Sequence, residues 1–438
     1  MIPPRFQRAG GLNRSERILA ELADRSFLKL WTWPNLFMKQ NSELTDLLVV
    51  FGDDVILFSD KGGAYPDKGP PELDWSRYFR HAIQESARQL NRAEGWLERF
   101  PDQVFLDPRC RIPLPIAIPR RESRRIHRIC VAPAAAEAAQ AREGLPGLRL
   151  EPAVVGDARP FTIGRVEGVR GWVHVFDEFS LTNVMRELST TPELIDYLRA
   201  KEVLMDRGGL ASAPSESDLL AHYILNDRAF GAGAPLVVAE GLWTGLQAHP
   251  QYQAREGRDR VSFYWDRLID QLAGAYVDRN LEMGNDLEVH QFEPIIRMMA
   301  GENRFNRRLL SLAITDRIAR NQSVGTILPS SDPDLHYVLL VARRGDTESY
   351  PEYRQRRPQE LQLRLLAAKA ARPDLRRLVG IGLDTAAERG GSEDLAFADT
   401  ATWGDDMLAF GHEVRANMEY FLDDRMVFER QIEDEFPT

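Results

Sequence analysis

Asp46, Asp60 and Lys61 have the types and spacing to do chemistry together. They lie in ELTDLLVVFGDDVILFSDK, residues 43–61, where Glu43 and Asp46 head one apolar run and Asp60-Lys61 closes the next. Carboxylates from neighbouring strands can hold a divalent cation against a phosphodiester, and a lysine beside them can orient the attacking water or neutralise developing charge. The chemistry expected of such a set is phosphodiester hydrolysis with Mg²⁺ or Mn²⁺. Asp46 and Asp60 would hold the metal, Glu21 or Glu16 would complete its shell from an upstream helix, and Lys61 would act on the water. Glu43 is a further candidate ligand, and Gln89 could support the site from downstream.

These residues need elements to position them. LTDLLVVF and VILFSDK are rich in β-branched and aromatic residues and flank a GDD turn, which predicts a hairpin. Side chains alternate along a strand, so Ser59 and Lys61 share one face and Asp60 takes the other. A two-residue Gly52-Asp53 turn sets Asp46 opposite Ser59 and on the face of Lys61, whereas a three-residue Gly52-Asp53-Asp54 loop sets it opposite Asp60. In the first arrangement a metal would need Glu16, Glu21 or Glu43, and a bulge at Ser59 would bring Asp60 round.

Ahead of the hairpin, NRSERILAELADRSFLKLW has apolar residues at helical spacing, with Asn13 or Ser15 as N-cap, and LWTWPNLF ends it. Trp31 and Trp33 are expected to close the core beneath the hairpin. A loop, GGAYPDKGPPELD, leads into one long helix over WSRYFRHAIQESARQLNRAEGWLERF, capped by Asp74 or Ser76. RIHRICVA and GWVHVFDE read as strands either side of an alanine-rich insertion. The chain is then mostly helical to about residue 325, after which LHYVLLVARR, YPEYRQRRPQELQLRLLAAKAA and RRLVGIGLDT read as strand, helix, strand. The expected class is α/β, in three domains: 1–182, a mostly helical 183–328, and a small α/β unit with an acidic C-terminal tail over 329–438.

The order of a helix with Glu16 and Glu21, a strand with Asp46, a strand closing on Ser59-Asp60-Lys61 and a helix with Gln89 resembles the PD-(D/E)xK, or restriction endonuclease-like, nuclease superfamily. There the helix glutamate, the strand aspartate, the acid of the acid-x-lysine triplet and the lysine form the catalytic set. The resemblance implies a restriction endonuclease-like N-terminal domain, Mg²⁺ or Mn²⁺ as cofactor, DNA as the favoured substrate and a setting in restriction or anti-phage defence. It also implies a homodimer where both strands are cut, or an unknown partner protein. Ser59 departs from the pattern, standing where the triplet has its acid. The rival expectation is therefore a catalytically inactive nuclease-like scaffold for protein interaction or nucleic-acid binding. A third is a nucleotide sensor built on the C-terminal unit.

The net charge of −10 conceals a gradient: residues 1–130 carry +4 and the remainder −14, so a phosphate-facing surface belongs near the N-terminus. RRESRRIHR holds the densest arginines there, and Arg120, Arg121, Arg124 and Arg125 are expected to contact backbone phosphate. The arginines of RQRRP and RRLVG are expected in solvated salt bridges. His81 and His127 could lie near the pocket, although lone histidines are more often surface or core residues. GIGLDT supplies only Gly380 and Gly382, so no dinucleotide site is expected. Cys110 and Cys130 are too few for a disulfide scaffold. The longest apolar runs are too short to cross a bilayer and MIPPRFQRAGG lacks the core of a signal peptide, so a cytoplasmic location is expected, with no membrane partner.

Overall fold

In the computed structural model, which describes Leu19, residues 27–388, 391–424 and Met426, three consecutive apolar segments pair as an antiparallel meander. They are β1 (Thr32–Lys39), β2 (Ser42–Phe51) and β3 (Asp54–Asp60). The sequence predicted only the last two. LWTWPNLF continues into β1, where Pro34 is tolerated because β1 is the outer strand and its missing N–H costs no inner ladder bond. Leu44 to Val50 of β2 and every residue of β3 are buried, as expected of strands covered on both faces. Trp31 and Trp33 lie in the core as expected.

The helix after β3 is broken into α1 (Pro71–Tyr78), a π-helical segment (Phe79–Gln84) and α2 (Glu85–Arg99). Pro71 opens α1, where its missing N–H is harmless. Asp74, expected as the cap, lies inside the first turn and ties down the preceding loop, accepting from the N–H groups of Lys68 (3.1 Å) and Gly69 (2.9 Å). The chain returns as β4 (Arg125–Ala132), parallel to β3. After α3 (Ala135–Glu143) and a small side sheet of β5 (Arg149–Val155) and β6 (Thr162–Arg165), β7 (His174–Asp177) adds parallel to β4. The strand order is β1-β2-β3-β4-β7. Alternation along β4 sends Arg128 to Glu94 of α2 on one face. It sends His127 to the other face, covered by α4 (Glu178–Glu187) and α5 (Thr191–Asp206) in the chain that follows; His127 meets Glu202 of α5.

The chain falls into two compact units, one running to Arg255 and one from Glu256. The first ends with β8 (Leu210–Ser212), α6 (Glu216–Leu225), β9 (Leu236–Val237), α7 (Leu242–Ala248) and α8 (Pro250–Asp259), whose last residues pass into the second. The second holds α9 (Phe263–Val277), α10 (Val289–Ala300) and α11 (Arg304–Ala319), then β10 (Val324–Pro329), β11 (Leu335–Ala342), α12 (Tyr350–Ala371), β12 (Arg377–Asp384), β13 (Glu393–Asp399) and α13 (Asp405–Asn417). Its sheet runs β10-β11-β12-β13, and α12 carries the chain from β11 to its parallel neighbour β12. Ser349 and Glu352 form a capping box at the start of α12. Arg357 of RQRRP is not solvated as expected. It is fully buried, with Nε 2.6 Å from Asp394 and Nη1 on Asp384, because both acids lie on the strands that α12 covers. The protein is thus mixed α/β with several sheets, and among the described residues no helix is long and apolar enough to cross a membrane.

Candidate functional site

Phe51 pairs with Asp54 and Leu47 with Phe58, so the β2–β3 turn is the two-residue Gly52-Asp53 form, with Gly52 at φ +61°. Continued one residue past the last pair, Leu47–Phe58, that register sets Asp46 against Ser59. Asp46 Oδ2 accepts the backbone N–H of Asp60 at 2.5 Å, and Asp60 Oδ1 accepts that of Gly62 at 2.7 Å, which fixes the path of the chain on either side of Lys61. Ser59 Oγ donates to Gln89 Oε1 of α2 at 3.1 Å. Asp46, Ser59 and Gln89 therefore meet on the α2 face, while alternation turns the Asp60 side chain the other way.

Cys130, beside Ser59 in register, shows how tightly the strand end is drawn together. Burial pushes its thiol up to about 12; the nearby Ser86 hydroxyl opposes, Asp60 and Asp46 add to the rise, and Lys61 works against it. One buried sulfur thus feels all three of the residues singled out from sequence. The same strand ends carry groups that sequence reading passed over. Tyr78 donates to Pro133 O at 2.6 Å, and its phenol is held well above its usual range by burial, then by Cys130, Glu178, Asp60 and Asp177. Asp177, at the end of β7, accepts from the N–H groups of Ser180 (2.7 Å) and Leu148 (2.9 Å), and burial raises its carboxyl. Its signal was the Asp-Glu pair closing GWVHVFDE.

On the opposite face lies a second polar cluster. His127 Nδ1 is 2.9 Å and His174 Nε2 3.0 Å from the same oxygen, Glu202 Oε1. His127 Nε2 is 3.0 Å from Asp54 Oδ1, and Asp54 is also held by Arg199. Burial alone would lower the His127 pKa, but Asp54 and Glu202 outweigh it and raise it. Burial alone would raise Glu202, but His127 and His174 bring it down to about 2. For His174 burial prevails and the pKa falls. His127, first read as a lone histidine, is thus part of a network, whereas His81 is exposed on the π-helical segment.

No protein-family model matches this chain, and no curated protein or solved structure is significantly similar to it.

The remaining sequence candidates are dispersed. Glu16 and Glu21 lie outside the described residues. Glu43 is half-buried and is separated from Asp46 by a register shift in the β1–β2 ladder. Arg125 pairs in register with Asp54, at the far end of β3 from Asp60, roughly 20 Å away at the rise of an extended strand. Arg120 and Arg121 are exposed beside it, and Arg124 is half-buried with Nη1 3.3 Å from Pro119 O. The arginines therefore lie at the opposite end of the strands from Asp60 and Lys61. Asp46, Ser59 and Gln89 offer oxygen donors alone, the type that Mg²⁺ and Mn²⁺ accept, and so fit such an ion in kind.

Proposed function

We propose that the unit ending at Arg255 is a nuclease domain of the PD-(D/E)xK type that hydrolyses phosphodiester bonds, DNA favoured, with Mg²⁺ or Mn²⁺. The observation that carries this reading is the junction of topology and polar groups. An antiparallel meander passes by a helical crossover into a parallel strand, with Asp46 in the middle of its second strand where the pairing with the third stops, Lys61 just past the end of the third, and Gln89 on the crossover helix. Asp46 holds the metal, and Asp60 fixes Asp46 through its backbone N–H. Lys61 orients the attacking water or offsets charge on the phosphate. A bound Mg²⁺ supplies Lewis-acid polarisation of the phosphoryl oxygen. Arg120, Arg121 and Arg125 suit backbone contacts farther along a duplex.

A second reading, the inactive scaffold, is favoured by one observation: Ser59, at the acid position, is fully buried and hydrogen-bonded to Gln89. Cleavage of plasmid DNA, single-stranded DNA and RNA with Mg²⁺ or Mn²⁺ separates the two. Under the nuclease reading Lys61→Ala and Asp46→Asn each lower the rate by roughly 10²–10³-fold, the cost of removing one group that stabilises developing charge. Failure of the wild type to cut any substrate supports the scaffold.

A further inference from the structure

We propose that His127, His174 and Glu202 bind a divalent transition-metal ion of the zinc class, on the sheet face opposite Asp46. The imidazole nitrogens and a carboxylate oxygen of these residues all lie within 4.8 Å of one another. Each comes from a different regular element, β4, β7 and α5, so the donors are presented by rigid backbone. Two imidazoles select against Mg²⁺ and Ca²⁺, which take oxygen, and favour Zn²⁺ and its neighbours. Two histidines with one carboxylate are also a set that holds zinc with a fourth position left for water or another ligand.

The hydrogen-bond pattern around His127 points the same way. Carboxylates face both of its nitrogens, Asp54 at Nε2 and Glu202 at Nδ1, and an ionised carboxylate can only accept. Each contact needs either a proton between nitrogen and oxygen or, at Nδ1, a cation in its place. A metal at Nδ1 leaves a neutral ring whose Nε2–H donates to Asp54, the arrangement in which a carboxylate orients a ligating histidine. Arg199 Nε, 3.1 Å from Asp54, holds that carboxylate in place. His127 and His174 are buried to 1% and 0%, whereas Glu202 keeps 26% of its side chain exposed, so access and the fourth ligand come from the Glu202 side.

The test uses the tag-free full-length protein, stripped with chelator and titrated with Co²⁺ as a visible probe, followed by Zn²⁺ displacement. The wild type is expected to bind one Co²⁺ per chain with intense d–d bands that Zn²⁺ abolishes. His174→Ala should lose them while circular dichroism stays native, Asp54→Asn should weaken binding roughly 10–100-fold, and His81→Ala, at an exposed histidine outside the cluster, should leave it unchanged. Wild type that takes up neither ion at micromolar concentration overturns the proposal without reference to any variant. Stoichiometric metal retained by folded His174→Ala, or the d–d bands lost in His81→Ala, overturns it equally.

Discussion

The two units use one construction to different ends. In each, a hairpin passes through a helical crossover into a parallel neighbour: β2–β3 through α1 and α2 to β4, and β10–β11 through α12 to β12. In the second unit the crossover helix drives Arg357 into the sheet between Asp384 and Asp394, and Tyr353 donates to Asp384 at 2.6 Å. In the first, the helix meets the strand end with an uncharged amide, Gln89, while Asp46 and Asp60 stand beside Lys61, which is only half-buried. Topology alone does not make a site. Where the crossover supplies a buried guanidinium, the acids it meets become part of the fold's own ion pairing; where it supplies an amide, the acids remain candidates for an external cation.

The sharpest way to break that comparison is to remove the cation from each unit. Arg357→Met leaves two buried carboxylates without their partner, and an uncompensated buried charge costs about 3–5 kcal/mol. Lys61→Ala, at a partly exposed strand end, should change stability by no more than about 0.5 kcal/mol. Hydrogen exchange in β12 and β13 for the first variant, and in β2 and β3 for the second, localises each effect. Equal losses would mean that Lys61 is as structural as Arg357.

A smaller effect sharpens the contrast within the first unit. Ser59→Ala and Gln89→Met each leave a buried polar atom without its partner, at about 1–3 kcal/mol, whereas the double variant removes both ends and should cost less than the sum. Urea denaturation of the four proteins in a double-mutant cycle measures this. Ser59→Asp adds an acid on the face of Asp46, and under the nuclease reading metal-dependent cleavage rises above wild type even where stability falls.

Much of the hairpin was legible because its signals are local: continuous apolar runs, a GDD turn, and a side-chain period of two that left only the turn length open. The Cα register decided that: Phe51 pairs with Asp54, and the ladder extended by one residue sets Asp46 against Ser59. The limits of β4, β11 and β12 could likewise be read from β-branched runs. β1 was missed because aromatic and proline residues at its start read as a helix stop, and the π-helical segment because its composition continues a helix. The His127–Glu202–His174 cluster was illegible for a different reason. Its members are scattered over three elements, none in a metal-ligand motif, and only the parallel addition of β7 to β4 and the packing of α5 bring them together. Arg357 was misread because its partners, Asp384 and Asp394, lie on strands that the sequence does not show to be covered by α12.

The smallest effect concerns the thiols. Cys130 lies under the π-helical segment, with Sγ 3.5 Å from Ala82 O, at the point where Asp46, Asp60 and Lys61 all act. With a pKa pushed up to about 12, only about one thiol in 10⁴ is ionised at pH 8, and the sulfur is shielded from reagent besides. Cys110 is half-buried, and burial raises its thiol to a lesser degree. An aromatic disulfide reagent at pH 8 should therefore label Cys110 ahead of Cys130, and Cys130 should react only as the first unit opens, with a rate that rises with urea. Mass spectrometry of the labelled peptides reads the order. Prompt labelling of Cys130 in the native protein would mean that the strand end is open to solvent. The acids beside it would then lie in high dielectric, where their attraction for a cation weakens, and the contrast with the enclosed Arg357 cluster would rest on exposure rather than on the choice of amide over guanidinium.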